Sequence, residues 1–264
     1  MQNAELKSLP PVSEMMRNAG LFPKKSLGQN FLFDLNLTRK IAGFVPNLEN
    51  SIIVEVGPGP GGLTRALLEK GAKKIIAIEK DKSTLPILEE IKKVSNGKLE
   101  IVIGDALKLP IFEYKFSICS SLPYNIGTEL LIRWLHFPNK IKSMTLMFQK
   151  EVAKRIIAKS GSKDYGRLAV LTSMNWNAKI LFNVPNTAFV PPPKVQSAVV
   201  QLIPKEKTIE TKNIEKLTAV LFGHRRKMIR SIMPDVDWKR FGLWGTERAE
   251  ELSPEIFQKI AEVF

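Results

Sequence analysis

The sequence has few residues that could form disulfides or bind metals. Its 264 residues include a single cysteine, Cys119, and two histidines. A lone thiol excludes an intramolecular disulfide, and the scarcity of cysteine favours a reducing compartment. Neither a Cys-x-x-Cys nor a His-Glu-x-x-His spacing occurs, so we expect no metal site.

Long apolar stretches are also absent. No segment approaches the roughly 18 apolar residues that a membrane-spanning helix requires. Residues 1–20 include Glu5, Pro10, Pro11 and Glu14, and they lack the apolar centre of a secretory signal. We expect this segment to be weakly structured and the protein to be cytoplasmic, without membrane attachment.

Positive charge dominates the composition. Forty Lys and Arg residues oppose 26 Asp and Glu residues, which gives a net charge of +14. Such an excess favours a polyanionic partner through counterion release and electrostatic steering. A lysine-rich genome would produce the same composition, so charge alone leaves nucleic-acid binding and an ordinary solvated surface both open.

Apolar periodicity divides the chain into alternating strands and helices. The expected strands are 51–57, 74–79, 99–103, 116–121, 144–148, 179–182 and 197–203, and the expected helices are 37–45, 63–70, 85–94 and 150–159. This alternation is typical of an α/β fold with a mostly parallel sheet covered on both faces. A polar linker and a helical pattern follow Pro204, which predicts two domains, 1–204 and 205–264.

A glycine-rich turn joins the first long strand to its helix. Residues 55–62 read Glu-Val-Gly-Pro-Gly-Pro-Gly-Gly, which allows the backbone to turn sharply and to approach a ligand closely. Glu79 ends the next strand, where a carboxylate can accept hydrogen bonds from ribose hydroxyls. The glycine spacing also fits a nicotinamide dinucleotide site. The acid at the start of the turn, and Asp105 after the third strand, favour S-adenosylmethionine instead.

A second motif follows the fourth predicted strand. Ser121-Leu122-Pro123-Tyr124 would lie at the carboxyl edge of the sheet, where ligand pockets open. The Ser121 hydroxyl and the Leu122 carbonyl could accept hydrogen bonds from an exocyclic amine, and Tyr124 offers a face on which an unpaired base can stack. A simple proline–tyrosine turn is the alternative, and the tetrapeptide alone does not exclude it.

Several segments taken together carry a specific resemblance. They occur in order at 24–32, 54–61, 78–79, 104–105, 122–125, 149–152, 165–168 and 189–195. On these motifs the chain resembles the ribosomal RNA adenine dimethyltransferase family, in particular its bacterial small-subunit branch. The resemblance implies a Rossmann-like class I methyltransferase sheet with a small C-terminal helical domain.

The resemblance also implies a role for individual residues. Asn30 and Leu32 would close over S-adenosylmethionine, Gly57 would lie under its methionine part, Glu79 would hold the ribose and Asp105 the adenine. Ser121 would belong to both the cofactor site and the catalytic site. The target adenine would lie between Tyr124 and Phe189, beside Leu122 and Pro123.

The implied reaction is dimethylation of two adjacent adenosines near the 3′ end of small-subunit ribosomal RNA. The implied partners are this RNA and the immature small subunit, and the enzyme is expected to act as a monomer. The family usually has Asn at the position of Ser121, which leaves the rate and the number of methyl transfers open. A non-catalytic assembly factor, a large-subunit resistance methyltransferase and a nicotinamide-dependent oxidoreductase remain as alternatives.

The C-terminal segment is expected to contact RNA. His224–Arg230 resembles a basic helix of the family, and the sequence shows no acidic residue near Arg225, Arg226, Lys227 and Arg230. A solvated helix face is the alternative. We expect Cys119 to be buried and His136 to be structural without an evident partner. We also expect core positions for the tryptophans Trp134, Trp176, Trp238 and Trp244.

Overall fold

A seven-stranded sheet forms the centre of the protein. The structure is a computed structural model that describes residues 2–24 and 29–263, without the side chains of residues 2–4. Its strands are β1 Phe31–Leu32, β2 Ile52–Val56, β3 Lys74–Glu79, β4 Leu99–Ile103, β5 Phe116–Ser121, β6 Ile141–Gln149, β7 Trp176–Val184, β8 Phe189–Val190 and β9 Ser197–Pro204. Strands β1 and β8 pair separately, outside the large sheet.

Helices surround the sheet. They are α1 Gln2–Ser8, α2 Val12–Asn18, α3 Leu35–Gly43, α4 Gly62–Glu69, α5 Leu85–Lys93, α6 Gly127–Leu135, α7 Lys150–Ile156, α8 Arg167–Asn175, α9 Lys212–Gly223, α10 Ile229–Ile232 and α11 Pro254–Ala261. Throughout the described part of the chain, no helix has the length and apolar character needed to cross a bilayer.

The order of the strands creates a crevice at the carboxyl ends of the parallel strands. The sheet runs β4-β3-β2-β5-β6-β9-β7. The first five strands are parallel, and β9 lies antiparallel between β6 and β7. The predicted mostly parallel sheet is therefore confirmed. Because the chain reverses its direction of winding between β2 and β5, a crevice opens at their carboxyl ends.

Both faces of the sheet are buried. Consecutive residues of a strand belong to different apolar clusters. Ile53 and Ile75 pack with α1–α5, whereas Val54 and Ile76 pack with α6–α11. Parallel strands covered on both sides favour apolar residues at successive positions, which accounts for the apolar runs 52–54 in β2 and 75–78 in β3. Cys119 on β5 is fully buried, as expected.

The N-terminal segment is helical, so the expectation of weak structure is wrong. Helices α1 and α2 are held by Arg65 of α4, whose side chain is 2% exposed. The Arg65 guanidinium donates hydrogen bonds to the carbonyl oxygens of Pro10 at 2.6 Å and of Leu6 and Leu9 at 3.3 Å. These contacts join residues more than fifty positions apart, which local periodicity cannot reveal.

The prediction of a basic helix at residues 224–230 is also wrong. Helix α9 ends at Gly223, residues 224–227 form a turn, and α10 begins only at Ile229. The Lys227 amide donates to the His224 carbonyl at 2.8 Å, which closes the turn. Arg225 lies in this turn and pairs with Glu250, an acid 25 residues further along the chain.

The C-terminal helices pack directly on the sheet domain. Glu215 of α9 accepts hydrogen bonds from His136 at 2.8 Å and from Arg167 at 2.5 Å. The other ring nitrogen of His136 lies 2.6 Å from the Thr211 hydroxyl. His136 therefore has two partners, both unrecognised from the sequence, and its structural role consists of joining α6 to α9. The division of the chain at residue 205 into two domains stays a prediction.

Replacing Arg65 with Met should release the N-terminal helices. The change removes the donors for three backbone carbonyls from a buried position, so the free energy of unfolding should fall by about 2–4 kcal/mol. Limited proteolysis should show faster cleavage within residues 8–11. Arg17→Ala, an exposed change on α2, serves as the control and should alter stability by less than about 0.5 kcal/mol. Unchanged cleavage in the Arg65 variant would contradict the anchoring role.

Candidate active site

A pocket of about 250 Å³ opens at the carboxyl edge of the parallel strands. It is lined by the loops that follow β2, β3, β4 and β5, together with β1 and β8. Every residue predicted to bind the cofactor or the target base contributes to its lining: Asn30, Leu32, Gly57, Glu79, Asp105, Ser121, Leu122, Pro123, Tyr124 and Phe189. The structure therefore brings these two sets of residues into one site.

The glycine-rich turn forms the floor of the pocket. Gly57 and Gly59 have φ of +69° and +54°, in the left-handed region that favours glycine. A side chain at Gly59 would place its Cβ 2.9 Å from the Phe31 ring. Gly62 has an ordinary backbone conformation, but a Cβ there would lie 2.8 Å from the Leu32 carbonyl oxygen. The absence of side chains thus lets β1 pack closely over the turn.

Glu79, at the end of β3, forms a hydrogen bond to the turn that follows β2. One carboxylate oxygen accepts from the Gly59 amide at 3.0 Å, and the other accepts from the amides of Lys80 at 2.8 Å and Asp81 at 2.7 Å. The side chain is buried, and this burial raises its pKa against the opposing effect of the three amides. The carboxylate faces the pocket at the end of β3 and retains acceptor capacity for a ligand.

Asp81 forms a second acidic centre, which the sequence analysis missed. It accepts hydrogen bonds from Lys24 at 2.7 Å, from Gln29 at 2.8 Å and from the Ser83 hydroxyl at 2.7 Å. Burial acts to raise its pKa, but these donors outweigh burial and hold the pKa well below its usual range. Asp81 therefore fixes the described ends of the segment that leads into β1. Residues 25–28 of the predicted 24–32 motif lie outside the described residues.

Glu55 lies beneath the glycine-rich turn. Its side chain is 1% exposed and accepts a hydrogen bond from the Thr64 hydroxyl at 2.7 Å. Burial raises its pKa to about 8, with a smaller contribution from the negative charge of Glu79. At neutral pH this carboxyl is therefore mainly protonated in the folded protein. Glu55 and Glu79 lie close together, but Glu55 accepts a hydrogen bond from one hydroxyl whereas Glu79 accepts three from backbone amides.

Asp105 lies at the rim of the pocket. It accepts a hydrogen bond from the Lys80 ammonium at 3.0 Å and another from the Leu107 amide at 3.1 Å. The Lys80 hydrogen bond lowers the pKa of Asp105. The aspartate is therefore an ionised acceptor in the lining of the pocket.

The Ser121–Tyr124 segment forms the other wall. Pro123 packs over the turn, with its ring 3.3 Å from the position that a Cβ on Gly57 would occupy. The Tyr124 hydroxyl lies 2.6 Å from the hydroxyl of Ser197, a fully buried residue at the start of β9. This contact fixes the tyrosine ring from a strand 73 residues away, and no sequence motif indicated Ser197.

Phe189 lines the pocket from β8, next to β1. Strands β1 and β8 pair antiparallel, so that Leu32 lies opposite Phe189 and Phe31 opposite Val190. The Phe189 side chain is almost completely buried, whereas Tyr124 is half-buried. The two aromatic residues predicted to hold the target base therefore contribute unequal surfaces to the pocket.

The predicted RNA-binding residues lie apart from this pocket. Arg225, Arg226, Lys227 and Arg230 are all exposed, and none of them lines it. Arg225 pairs with Glu250 and donates to the Lys163 carbonyl at 2.9 Å, so the expectation that no acid lies near is wrong for this residue. Within residues 2–24 and 29–263, Arg226, Lys227 and Arg230 form no ion pair.

The strand order, the glycine-rich turn after β2 and the acid that ends β3 together define an S-adenosylmethionine-dependent methyltransferase of class I. The chain matches the ribosomal RNA adenine dimethylase family over residues 22–262. It therefore belongs to the ribosomal RNA adenine dimethylase family, which excludes the nicotinamide-dependent alternative.

Individual relatives agree with this assignment. The chain is 49% identical to ribosomal RNA small subunit methyltransferase A of Chelativorans sp. (strain BNC1), over 97% of this chain and 98% of the relative. It is 48% identical to the protein of the same name from Agrobacterium fabrum, over 98% and 99%.

Solved structures show the same fold. A dimethyladenosine transferase from Plasmodium falciparum matches with a TM-score of 0.74 and 26% identity, over 87% of this chain and 95% of that one. The 23S rRNA methyltransferase ErmE matches with a TM-score of 0.66 and 24% identity, over 88% and 98%.

Replacing Glu55 with Gln should change how stability depends on pH. Between pH 5 and pH 8 Glu55 is mostly ionised in the unfolded wild-type chain, whereas the folded chain retains most of the proton. This group alone therefore lowers the free energy of unfolding by up to about 1.4 kcal/mol per pH unit as pH rises.

Gln cannot titrate. As pH rises across this range, the free energy of unfolding of the Glu55→Gln variant should therefore increase steadily relative to that of wild type. Denaturant unfolding at several pH values measures the difference. Glu90→Gln changes an exposed carboxyl on α5 and should give a curve parallel to that of wild type. A parallel curve for Glu55→Gln would mean that Glu55 is ionised in the folded state.

Proposed function

We propose that this enzyme dimethylates the N6 amines of two adjacent adenosines near the 3′ end of small-subunit ribosomal RNA. The observation that carries the proposal is the meeting of two motifs in one pocket. The cofactor half contains the glycine-rich turn and Glu79, and the opposite wall carries Ser121 to Tyr124. Relatives that share nearly half of their residues with this chain are small-subunit ribosomal RNA methyltransferases.

The pocket fits S-adenosylmethionine. Glu79 offers an acidic acceptor for the ribose hydroxyls, and Asp105 offers one for the adenine amine. The methionine part would lie over Gly57, while Asn30 and Leu32 cover it from β1 and the residues before it. When bound, the cofactor supplies an activated methyl group on its sulfonium.

The opposite wall suits an adenine amine. The Ser121 hydroxyl and the Leu122 carbonyl are acceptors for its two hydrogens, which would help a nitrogen with a delocalised lone pair to become nucleophilic. Tyr124, held by Ser197, and Phe189 provide aromatic surfaces for the base. Pro123 packs over the glycine-rich turn between the cofactor half and the base half of the pocket. The target base must leave its stack to enter the pocket. Positioning and exclusion of water are the main contributions of the protein.

We also propose that the C-terminal cations contact the RNA. Arg226, Lys227 and Arg230 are exposed and available to phosphates, whereas Arg225 is engaged with Glu250 and stabilises the turn that carries them. The proposed partner is the immature small subunit, bound by a monomer in the cytoplasm.

Methyl transfer to under-methylated small subunits tests the proposal directly. The purified protein, labelled S-adenosylmethionine and subunits lacking the modification should yield dimethyladenosine near the 3′ end of the small-subunit RNA. Large subunits serve as the matched control and should remain unlabelled. Label on large subunits alone would favour the resistance-methyltransferase alternative, and no label on either particle would favour a non-catalytic assembly factor.

Replacing Glu79 with Ala should weaken S-adenosylmethionine binding by about 10- to 100-fold. The ribose hydroxyls would lose a charged acceptor, worth roughly 1.5–3 kcal/mol. Calorimetry measures the affinity, and thermal unfolding must show that the variant still folds, because Glu79 also holds the Gly59 amide. Unchanged affinity in a folded variant would reject the assignment of Glu79 to the cofactor.

Replacing Ser121 with Ala should slow methyl transfer by about 10- to 100-fold, the effect of removing one transition-state hydrogen bond of roughly 1.5–3 kcal/mol. Affinity for the small subunit should not change. Ser121→Asn restores the residue usual in the family and should retain or raise the rate. Single-turnover methylation measures both variants. Equal rates for Ala and wild type would show that the serine hydroxyl takes no part in the reaction.

A further inference from the structure

One tryptophan does not follow the expectation that all four lie in the core. Trp134, Trp176 and Trp238 are nearly buried, whereas Trp244 is 77% exposed. Exposing the largest apolar side chain to water is unfavourable by roughly the free energy that its burial would provide. The surroundings of Trp244 show how the fold maintains this exposure.

A tight turn presents Trp244 outward. The Trp244 amide donates to the Glu247 carboxylate at 3.0 Å, which fixes the turn from within. Gly245, with φ of +78°, packs so closely that a Cβ there would lie 2.9 Å from Trp238 and 3.0 Å from Cβ of Arg230. The Trp244 backbone is therefore held in place by its neighbours while its ring projects to solvent.

The same turn is joined to the basic segment through backbone hydrogen bonds. The Arg230 amide donates to the Gly245 carbonyl at 3.0 Å, and the Ile229 amide donates to the Glu247 carbonyl at 2.9 Å. Met228, which is 42% exposed, pairs with Arg248 in an isolated bridge. The Trp244 turn thus lies beside Arg230, and Arg226 and Lys227 belong to the turn that directly precedes Met228. We call Arg226, Lys227, Met228, Arg230 and Trp244 the tryptophan patch.

The charges around the patch favour an anionic ligand. Arg226, Lys227 and Arg230 are exposed and form no ion pair among the described residues. Three acids lie on the facing segment: Glu250 pairs with Arg225, Glu251 accepts from the Arg248 amide, and Glu247 accepts from the Trp244 amide and keeps its negative charge beside the cations. Asp235 and Asp237 are exposed acids in the segment between α10 and the turn.

We propose that the tryptophan patch binds an unpaired RNA base, which stacks on Trp244, with the flanking phosphates on Arg226, Lys227 and Arg230. The combination of one exposed aromatic ring with free cations is how proteins bind single-stranded nucleic acid. The patch lies apart from the pocket, so this base is not the one that is methylated. The inference rests on the proposed function, because it requires a ribosomal RNA substrate.

Three substitutions at position 244 test the stacking. Affinity for under-methylated small subunits should fall about 5- to 100-fold in Trp244→Ala, the range expected when one base can no longer stack. Trp244→Phe should recover much of this affinity because it restores an aromatic face. Trp244→Leu keeps apolar area without such a face and should remain as weak as Ala. Full recovery by Leu would indicate a protein surface as the partner and would overturn the proposal.

A salt series separates the ring from the cations. Trp244→Ala should lower affinity at every salt concentration with an unchanged log–log slope. The double variant Arg226→Ala/Arg230→Ala should reduce the slope by about 0.7–0.9 for each phosphate that is no longer neutralised. Tyr114→Ala removes an aromatic residue, 43% exposed, from the sheet domain and serves as the control, with no expected change in affinity. Equal affinity of Trp244→Ala and wild type would overturn the proposal.

Cofactor binding distinguishes this proposal from the proposed function. S-adenosylmethionine affinity and thermal stability should be the same in wild type and in all Trp244 variants, because the pocket lies elsewhere. If wild type methylates small subunits while Trp244→Ala binds them normally, the patch proposal fails and the function stands. If wild type binds subunits through Trp244 without methylating them, the function fails and the patch stands.

Discussion

The hydrogen bond from the Gly59 amide to the Glu79 carboxylate is the contact on which the site depends. It joins the turn after β2 to the end of β3, and two further amides orient the same carboxylate. The turn can reach Glu79 only because its glycines adopt left-handed backbone conformations and leave space for Phe31. The floor of the pocket, the position of β1 and the acid that faces a ligand are therefore set by one local geometry.

Much of this arrangement could be predicted from the sequence. The predicted strands 74–79, 99–103 and 116–121 match β3, β4 and β5 residue for residue. Buried parallel strands leave a strong signal, since both faces demand apolar residues and glycines end the run. The residues predicted for the cofactor and the base converge on one pocket, because motifs at the carboxyl ends of neighbouring strands meet at one edge.

The features that could not be predicted depend on partners distant in the chain. Helices α1 and α2 are held by Arg65, and the Tyr124 ring is held by Ser197. The basic segment was expected to be a helix with unpaired cations, but Arg225 lies in a turn and pairs with Glu250. Trp244 was expected in the core together with the other tryptophans, yet it lies on the turn held by Glu247 and is exposed to solvent. Periodicity describes the faces of local elements and carries no information about such contacts.

The short ladder between β1 and β8 has a thermodynamic consequence. Leu32 and Phe189 are opposite residues of a two-residue pairing that lies outside the main sheet, and under the proposed function Leu32 would contact the cofactor and Phe189 the base. An isolated pairing of this length is marginally stable on its own. A ligand that orders it from one side therefore lowers the entropic cost of ordering it for the other, and by linkage the effect is the same in both directions. Under the proposed function, cofactor and base would share this conformational cost, and the binding of either one would strengthen the binding of the other.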